Sequence, residues 1–492
     1  TDNFKKPTKL KSIKPMKTYY SIFILLFFSL YSYGQKDKKN YDEAIKIIEV
    51  WLEAQTAYDK LPGISASIVS DQNLIWTGAF GMANVDNKIQ TEVETVCSIC
   101  SISKLFTATA IMKLYDEGKL RLDDTINDLL PWYNLVQSFP ESGPITIRAL
   151  LSHSAGLPRE NAFSHWNGPN YSFPSKIDVK SKLSSQKTIH PTATKYQYSN
   201  LAFTLLGYVV EEVSGVTFDT YVTQNILKPL DLSFTSPTMP KSLYGKELAI
   251  GYGVLSRDSK RKPMRFFKAN GVTAAAGFSS NVKDLGKFAS WQFRLRESSK
   301  TEIIKPSTLK NMHNVHWTDS NFRVTRGLGY GIWEGANGNK WVGHDGYCPG
   351  YQTIIQLNLE TKLAYSIMIN ANGVNINKYV RGLNALINKV NHTQKDSDKN
   401  KFLKQFTGYY EWDSFANETY VSTWQGNLAI IELPSNSPGD TMRIFKHIEG
   451  DKFRRINEDG NLGETLTFVR NSKGRIFRYK LFNNWLYTKV KR

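Results

Sequence analysis

The chain has few of the features that would tie it to a metal, a redox couple or a nucleic acid. Only three cysteines occur in 492 residues, Cys97, Cys100 and Cys348, too few for a disulfide framework in an exported protein of this size. Cys97 and Cys100 have a Cys-x-x-Cys spacing, but no second pair completes a zinc site and no βαβ pattern surrounds them. They read as two small buried residues, with a bond to Cys348 left open. No metal or cofactor is expected. Arginine-rich tracts and zinc-finger spacings are also missing, so nucleic-acid binding has little support. The net charge of +19 then argues for a basic, soluble surface, or for attraction to an acidic envelope or polymer.

The apolar run that follows Met16-Lys17 is shorter than the roughly 20 residues of a spanning helix. Ser32 and Gly34 stand at the −3 and −1 positions of a cut before Gln35, which completes the three parts of a secretory signal peptide. Residues 1–34 are therefore expected to be a signal region with Met16 as the start, and residues 1–15 an over-extension of it. The protein is expected to be exported, periplasmic or secreted; an uncleaved N-terminal membrane anchor is the alternative. Six lysines and one aspartate in that region supply +5 of the net charge, and the rest is spread along the chain.

What the sequence does contain is a main domain over 41–390, a polar linker at 391–400 and a strand-rich segment over 401–492. Tyr41 to Ala57 has the apolar spacing of a helix. Residues 62–70 and 74–80 alternate as strands around a turn at Asp71. Asp123–Leu130 and Ile147–Leu151 read as helical, followed by a loop at Ser152–Pro158 whose His153 reads as a structural histidine. Residues 159–195 lack periodicity and read as a long loop lining something. A helix is expected after Asn200, which is a candidate N-cap, with Gly215 past its end. Strands are expected at 327–333, 340–343, 351–358 and 363–370, with an interruption at His344–Gly350. Beyond the linker, Gly426, Gly450, Gly460 and Gly474 mark turns between short strands, as in a small antiparallel barrel whose aromatics form its core.

One tetrad carries chemistry. Ser101-Ile-Ser-Lys104 precedes an amphipathic helix, so the lysine lies one turn from the serine and on its face. A serine hydroxyl needs such a neighbour to take its proton, and a helix N-terminus favours the alkoxide over the ammonium. Tyr198-x-Asn200 and His344-x-Gly346 follow in order.

These three elements resemble the serine β-lactamase and penicillin-binding-protein superfamily, and within it the class C β-lactamases with their esterase and D-amino-peptidase relatives. The phrases Ile145–Pro158 and Leu328–Gly331 resemble the same proteins. The resemblance implies an α/β (α+β) fold: a β-lactamase/transpeptidase-like antiparallel sheet flanked by helices, a helical subdomain, and a small C-terminal β-barrel that walls off the cleft or binds a partner. With the signal region it implies an exported protein, and by itself a serine hydrolase working through an acyl-enzyme on an ester, amide, D-amino-acid peptide or β-lactam. By it Ser101 is the nucleophile, Lys104 holds or accepts the serine proton, and Tyr198 is a general base or relay ionised through Lys104. Asn200 meets the acyl-side amide. His344 replaces the lysine of a Lys-Thr-Gly strand, Gly346 leaves room for substrate, and the amides of Ser101 and Tyr347 form the oxyanion hole. A neutral histidine at 344 weakens anchoring of a substrate carboxylate and disfavours efficient β-lactam hydrolysis. The expected partner is a small-molecule or peptide substrate, cell-wall derived in one reading, with no nucleic acid. The competing readings are a non-catalytic or slowly acylating binder of penicillin or cell-wall peptides, and a membrane-tethered adhesion module.

Overall fold

The computed structural model describes residues 1–2, 40–390, 401–413 and 415–492. Most of the expected signal segment and all of the expected linker lie outside them. A nine-stranded antiparallel sheet forms the centre of the main domain. Its strands are β1 (Gly63–Ser70), β2 (Asn73–Asn84), β3 (Ile89–Gln90), β6 (Trp317–Thr318), β7 (Thr325–Arg326), β8 (Gly331–Glu334), β9 (Lys340–Cys348), β10 (Tyr351–Asn358) and β11 (Leu363–Ile369). They run in the order β3-β2-β1-β11-β10-β9-β8-β7-β6. Two further strands, β4 (Cys97–Ser98) and β5 (Ser279–Ser280), pair separately. The centre of the sheet joins the two ends of the domain, with Ile64 opposite Ile369 and Ser70 opposite Leu363.

Five longer helices pack around it: α1 (Asp42–Tyr58), α2 (Ser103–Asp116), α3 (Asn200–Ser214), α4 (Val282–Glu297) and α5 (Ile376–Asn388). Trp51 and Leu52 of α1 join Tyr379 and Leu383 of α5 and Ile64, Ile68 and Ile367 of the sheet in one apolar layer. Phe288 of α4 and Phe106 of α2 belong to the larger core, which extends into the helical subdomain. Helix α2 is not the half-exposed helix its pattern suggested. It is buried from Ser103 to Met112, and Thr107 and Thr109 satisfy their hydroxyls on the carbonyls of Ala274 (2.7 Å) and Leu105 (2.8 Å), as buried polar groups must. Helix α3 is likewise buried throughout its first eleven residues. Its N-cap is Ser199, whose hydroxyl accepts from the Ala202 amide, so Asn200 is freed for another purpose. The predicted helix at 123–130 shrinks to Ile126–Leu129, which Thr125 and Asp128 close with a capping box.

Residues 408–490 form a closed eight-stranded barrel, β12 to β19 in order, from Gly408–Glu411 to Trp485–Val490. Tyr410, Phe453 and Tyr479 fill its interior. Tyr420, Trp424 and Leu433 instead belong to the α1/α5 layer, and the Trp51 indole donates to the Ser435 carbonyl at 2.8 Å. The barrel therefore sits behind that helix layer. A cleft of about 400 Å³ lies beside β8 and β9, lined by Arg323, Arg326, Trp333, His344, Asp345 and Asn377 among others, with no barrel residue in its wall among the described residues.

Candidate active site

Ser101 occupies a 3-10 turn, Cys100–Ile102, that runs directly into α2. The turn is held from several sides. The Ser103 hydroxyl donates to the Cys100 carbonyl at 2.5 Å and accepts from the Phe278 amide at 3.0 Å, and the Thr353 hydroxyl donates to the Ile99 carbonyl at 3.1 Å. Cys100 has a left-handed φ of 49°, uncommon for a residue with a Cβ and of the kind that collects at functional sites. Its sulfur is bonded to that of Cys348. Cys97 and Cys100 are both buried, as expected, and the bond to Cys348 that the sequence left open is made by Cys100. Only Cys97 is a free buried thiol among the described residues.

The Lys104 side chain is fully buried. Its Nζ lies 3.2 Å from Ser101 Oγ, 2.7 Å from Asn200 Oδ1 and 2.7 Å from the Ala275 carbonyl. A helical turn, Thr273–Ala276, presents this carbonyl. It packs so closely on α3 that a Cβ at Gly207 would come 2.4 Å from the Ala274 Cβ. Burial pushes the Lys104 amine down to about 7, with the Glu160 carboxylate opposing and Arg159 adding to the fall.

The Tyr198 ring lies 4.9 Å from Lys104 Nζ and 4.7 Å from the Arg159 guanidinium. Its phenol is pushed up by burial, and the adjacent Ser101 hydroxyl offsets part of that rise. Burial therefore acts against the expected ionisation of the phenol, and the Arg159 cation offsets it only in small part. Tyr198 is a phenol, not a phenolate, near pH 7. His153 packs 4.4 Å from the Tyr198 ring and accepts the Ser199 amide on Nδ1 at 3.1 Å. Burial and the nearby Lys104 hold it well below its ordinary value, so it is a neutral packing group.

Asn200 bridges the lysine and a carboxylate. Its Oδ1 accepts from Lys104, its Nδ2 donates to Glu160 Oε1 at 2.6 Å, and it is 4% exposed. Each end of the amide therefore has a partner inside the protein.

Strand β9 runs unbroken from Lys340 to Cys348; the expected interruption at His344 is absent. Partner β8 pairs it only as far as Gly343, which leaves His344–Cys348 bonded to β10 alone. That segment lies against the Ser101 turn. A Cβ on Gly346 would come 2.3 Å from the Ile99 carbonyl, 2.3 Å from Thr353 Oγ1 and 3.1 Å from the Cys100 Cβ. The glycine therefore seats the strand on the nucleophile's own backbone and does not make room for substrate. Gly346→Ala is expected to cost about 1–3 kcal/mol by overpacking, read as a lower denaturant midpoint with unchanged slope. Tyr347 is 58% exposed and leaves its backbone beside the turn. The His344 ring stands 6.1 Å from that of Tyr198, and burial lowers its pKa against the pull of Asp345. It is a neutral group at pH 7, as its identity suggested.

Four charged or titratable neighbours were missed from the sequence. Arg159, Glu160 and His165 lie in the aperiodic loop that follows Pro158. Arg326 donates to the Tyr196 hydroxyl at 2.6 Å and lines the cleft beside His344. The one available signal was the place of Arg159-Glu160 directly after the Ile145–Pro158 phrase.

A family model described as Beta-lactamase matches residues 51–388. The chain is 25% identical over 365 residues to "Protein flp" of Staphylococcus aureus (strain MW2), covering 73% of this chain and 70% of that protein. The octameric penicillin-binding protein homologue from Pyrococcus abyssi superposes with a TM-score of 0.62 at 24% identity, over 90% of this chain and 100% of that one. A D-stereospecific amidohydrolase from Streptomyces sp. gives 0.55 at 23% identity, over 68% and 96%.

Proposed function

Since the chain belongs to the beta-lactamase family, we propose that it is a serine hydrolase acting through an acyl-enzyme on Ser101. The observation that carries this reading is the setting of Lys104. An ammonium has three N–H donors, whereas a neutral amine has two and a lone pair. The Asn200 and Ala275 oxygens can only accept, so they take two N–H groups in either state. The third direction faces Ser101 Oγ, and in the neutral amine it carries the lone pair. Lys104 then withdraws the serine proton as Oγ attacks a carbonyl. The oxyanion is held by the amides of Ser101 and Tyr347, from the turn and the open edge of β9. As the bond from the carbonyl carbon to the leaving group breaks, the proton held by Lys104 passes through the Tyr198 phenol to the leaving group, so both return to their starting state. Water then attacks the acyl carbonyl, giving its proton to Lys104 and through it to Ser101 Oγ as the acid is released.

The substrate class is an ester, amide or D-amino-acid peptide. The hydrolase character of the amidohydrolase neighbour favours an acyl-transfer substrate, and the neutral His344 disfavours a β-lactam carboxylate. Export is the expected location. A Cys100–Cys348 disulfide suits an oxidising compartment, in keeping with the signal-like start.

The test is to incubate the purified protein with a chromogenic short-chain ester, a cephalosporin and D-amino-acid amides, then map any adduct by intact mass and peptide mass. Turnover with a transient adduct on Ser101 is expected. A stable adduct without turnover would make the protein a binder, and no adduct with any of them would remove the assignment. Lys104 must be neutral to act, so kcat/KM is expected to fall about tenfold per pH unit below an acid-limb midpoint near 7. A rate flat from pH 5 to 8 would exclude this base.

A further inference from the structure

We propose that Glu160 is a positioning residue for this reaction: its carboxylate fixes which end of the Asn200 amide faces Lys104, and so aims the lysine lone pair at Ser101. The inference rests on the acyl-enzyme reading above.

A side-chain amide is nearly symmetric in shape, so its neighbours decide which end goes where. An ionised carboxylate only accepts hydrogen bonds. Glu160 Oε1, 2.6 Å from Asn200 Nδ2, therefore requires the NH2 end on its side and leaves Oδ1 for Lys104 at 2.7 Å. Rotated by half a turn, the amide would point N–H groups at Nζ. The lone pair of a neutral Lys104 would then be drawn to Asn200 instead of to the serine proton, and the base would be turned away from its task.

The carboxylate is itself held in place. The fully buried His165 ring puts Nε2 3.4 Å from Oε2, and Arg159 Nε lies 3.7 Å from Oε1. The Gln186 side chain donates to the Glu160 carbonyl at 2.9 Å, and the backbone N–H of Asn200 donates to the Arg159 carbonyl at 2.7 Å. The loop is thus tied to the first turn of α3 by backbone and side chain together. The His165 ring is itself fixed by Nδ1, which donates to the Phe163 carbonyl at 2.9 Å, and among the described residues neither Oε2 nor His165 Nε2 has a hydrogen-bond partner.

The groups that surround Lys104 from every side are Glu160 and Arg159 from this loop, Tyr198 and His153, and His344 and Asp345 from β9. Among them Glu160 is the largest influence keeping the amine protonated, so its removal has a defined sign. Glu160→Gln loses the charge and lets either end of the new amide face Asn200. Glu160→Asp keeps the charge but withdraws it by one methylene.

The experiment follows two readouts in the wild type and both variants. One is the acylation rate of Ser101 with a chromogenic ester. The other, read without substrate, is the Lys104 titration from 13Cε-lysine NMR, its resonance assigned by loss in Lys104→Met. Glu160→Gln is expected to slow acylation at least about tenfold with KM within about twofold, and to move the Lys104 midpoint and the acid limb to lower pH. Glu160→Asp is expected to slow acylation while its midpoint stays closer to that of the wild type. Wild-type acylation in Glu160→Gln overturns the proposal. If Glu160→Gln does not fold, wild-type acylation in Glu160→Asp overturns it instead. Absence of any Ser101 adduct in the wild type would bring down the acyl-enzyme reading, whereas the substrate-free titration still tests the link from Glu160 to Lys104.

Discussion

Replacing Ser101 with alanine is expected to reduce turnover by about 10⁶-fold, the scale seen when the nucleophile of a cooperating set is removed. It is also expected to abolish the covalent adduct. The loss should be nearly complete because the remaining groups act only through that oxygen. Lys104 has no other proton to take, and the oxyanion donors have no tetrahedral intermediate to hold. The hydroxyl is small and partly exposed, and the turn around it is held by Ser103, Thr353 and the Cys100–Cys348 bond. The variant should therefore fold as the wild type does, with an unchanged denaturant midpoint. Retained turnover would mean that the chemistry uses another nucleophile.

Lys104→Met is expected to lower acylation by about 10³-fold or more, the upper part of the range for a general base. Methionine has similar length and no charge, so it separates loss of the base from loss of packing. Two oxygens, Asn200 Oδ1 and the Ala275 carbonyl, lose a donor, which is destabilising. Against this, an amine that is costly to bury is gone. The net change in stability is expected to stay within about 2 kcal/mol, so a thousandfold loss of rate in a folded protein would be chemical in origin. The diagnostic signature is the pH profile. The acid limb near 7 belongs to Lys104 and should vanish from the residual rate. A residual rate that keeps the limb would assign it to another group.

Much of this was legible in the chain before folding was considered. Residues 63–70, 351–358 and 363–369 were readable as strands from their short β-branched and apolar stretches bounded by turn residues, although nearly every position proves buried, on both faces of the sheet. The order Ser101, Lys104, Tyr198, Asn200 and His344 identified the residues that meet. What failed did so for definable reasons. Residues 344–348 looked like a break because Gly346, Pro349 and Gly350 are turn formers, yet Gly346 is there for close approach of two backbones. Helix α2 looked half exposed because Ser103, Thr107 and Ala108 are not strongly apolar, though all are buried. Tyr198 looked ionisable because a cation stood near it, and only the depth of burial reverses that sign. The Cys100–Cys348 bond and the Glu160–Asn200 contact join positions with no common period or motif, so no local pattern announces either.

The pairing of β1 with β11 has a consequence for how the chain comes off the ribosome. Residues 63–70 are almost wholly buried in the finished sheet, but the strand that covers one of their edges is residues 363–369. Throughout translation of everything between them, a nascent hairpin of β1 and β2 would carry an edge of unpaired backbone N–H and C=O groups, the kind that recruits other strands. Closure over so long a span of chain is slow. A polypeptide stopped before Leu363 would thus lack more than a terminal piece: it would hold half of a seam with nothing to sew it to, and would be the form most in need of a chaperone.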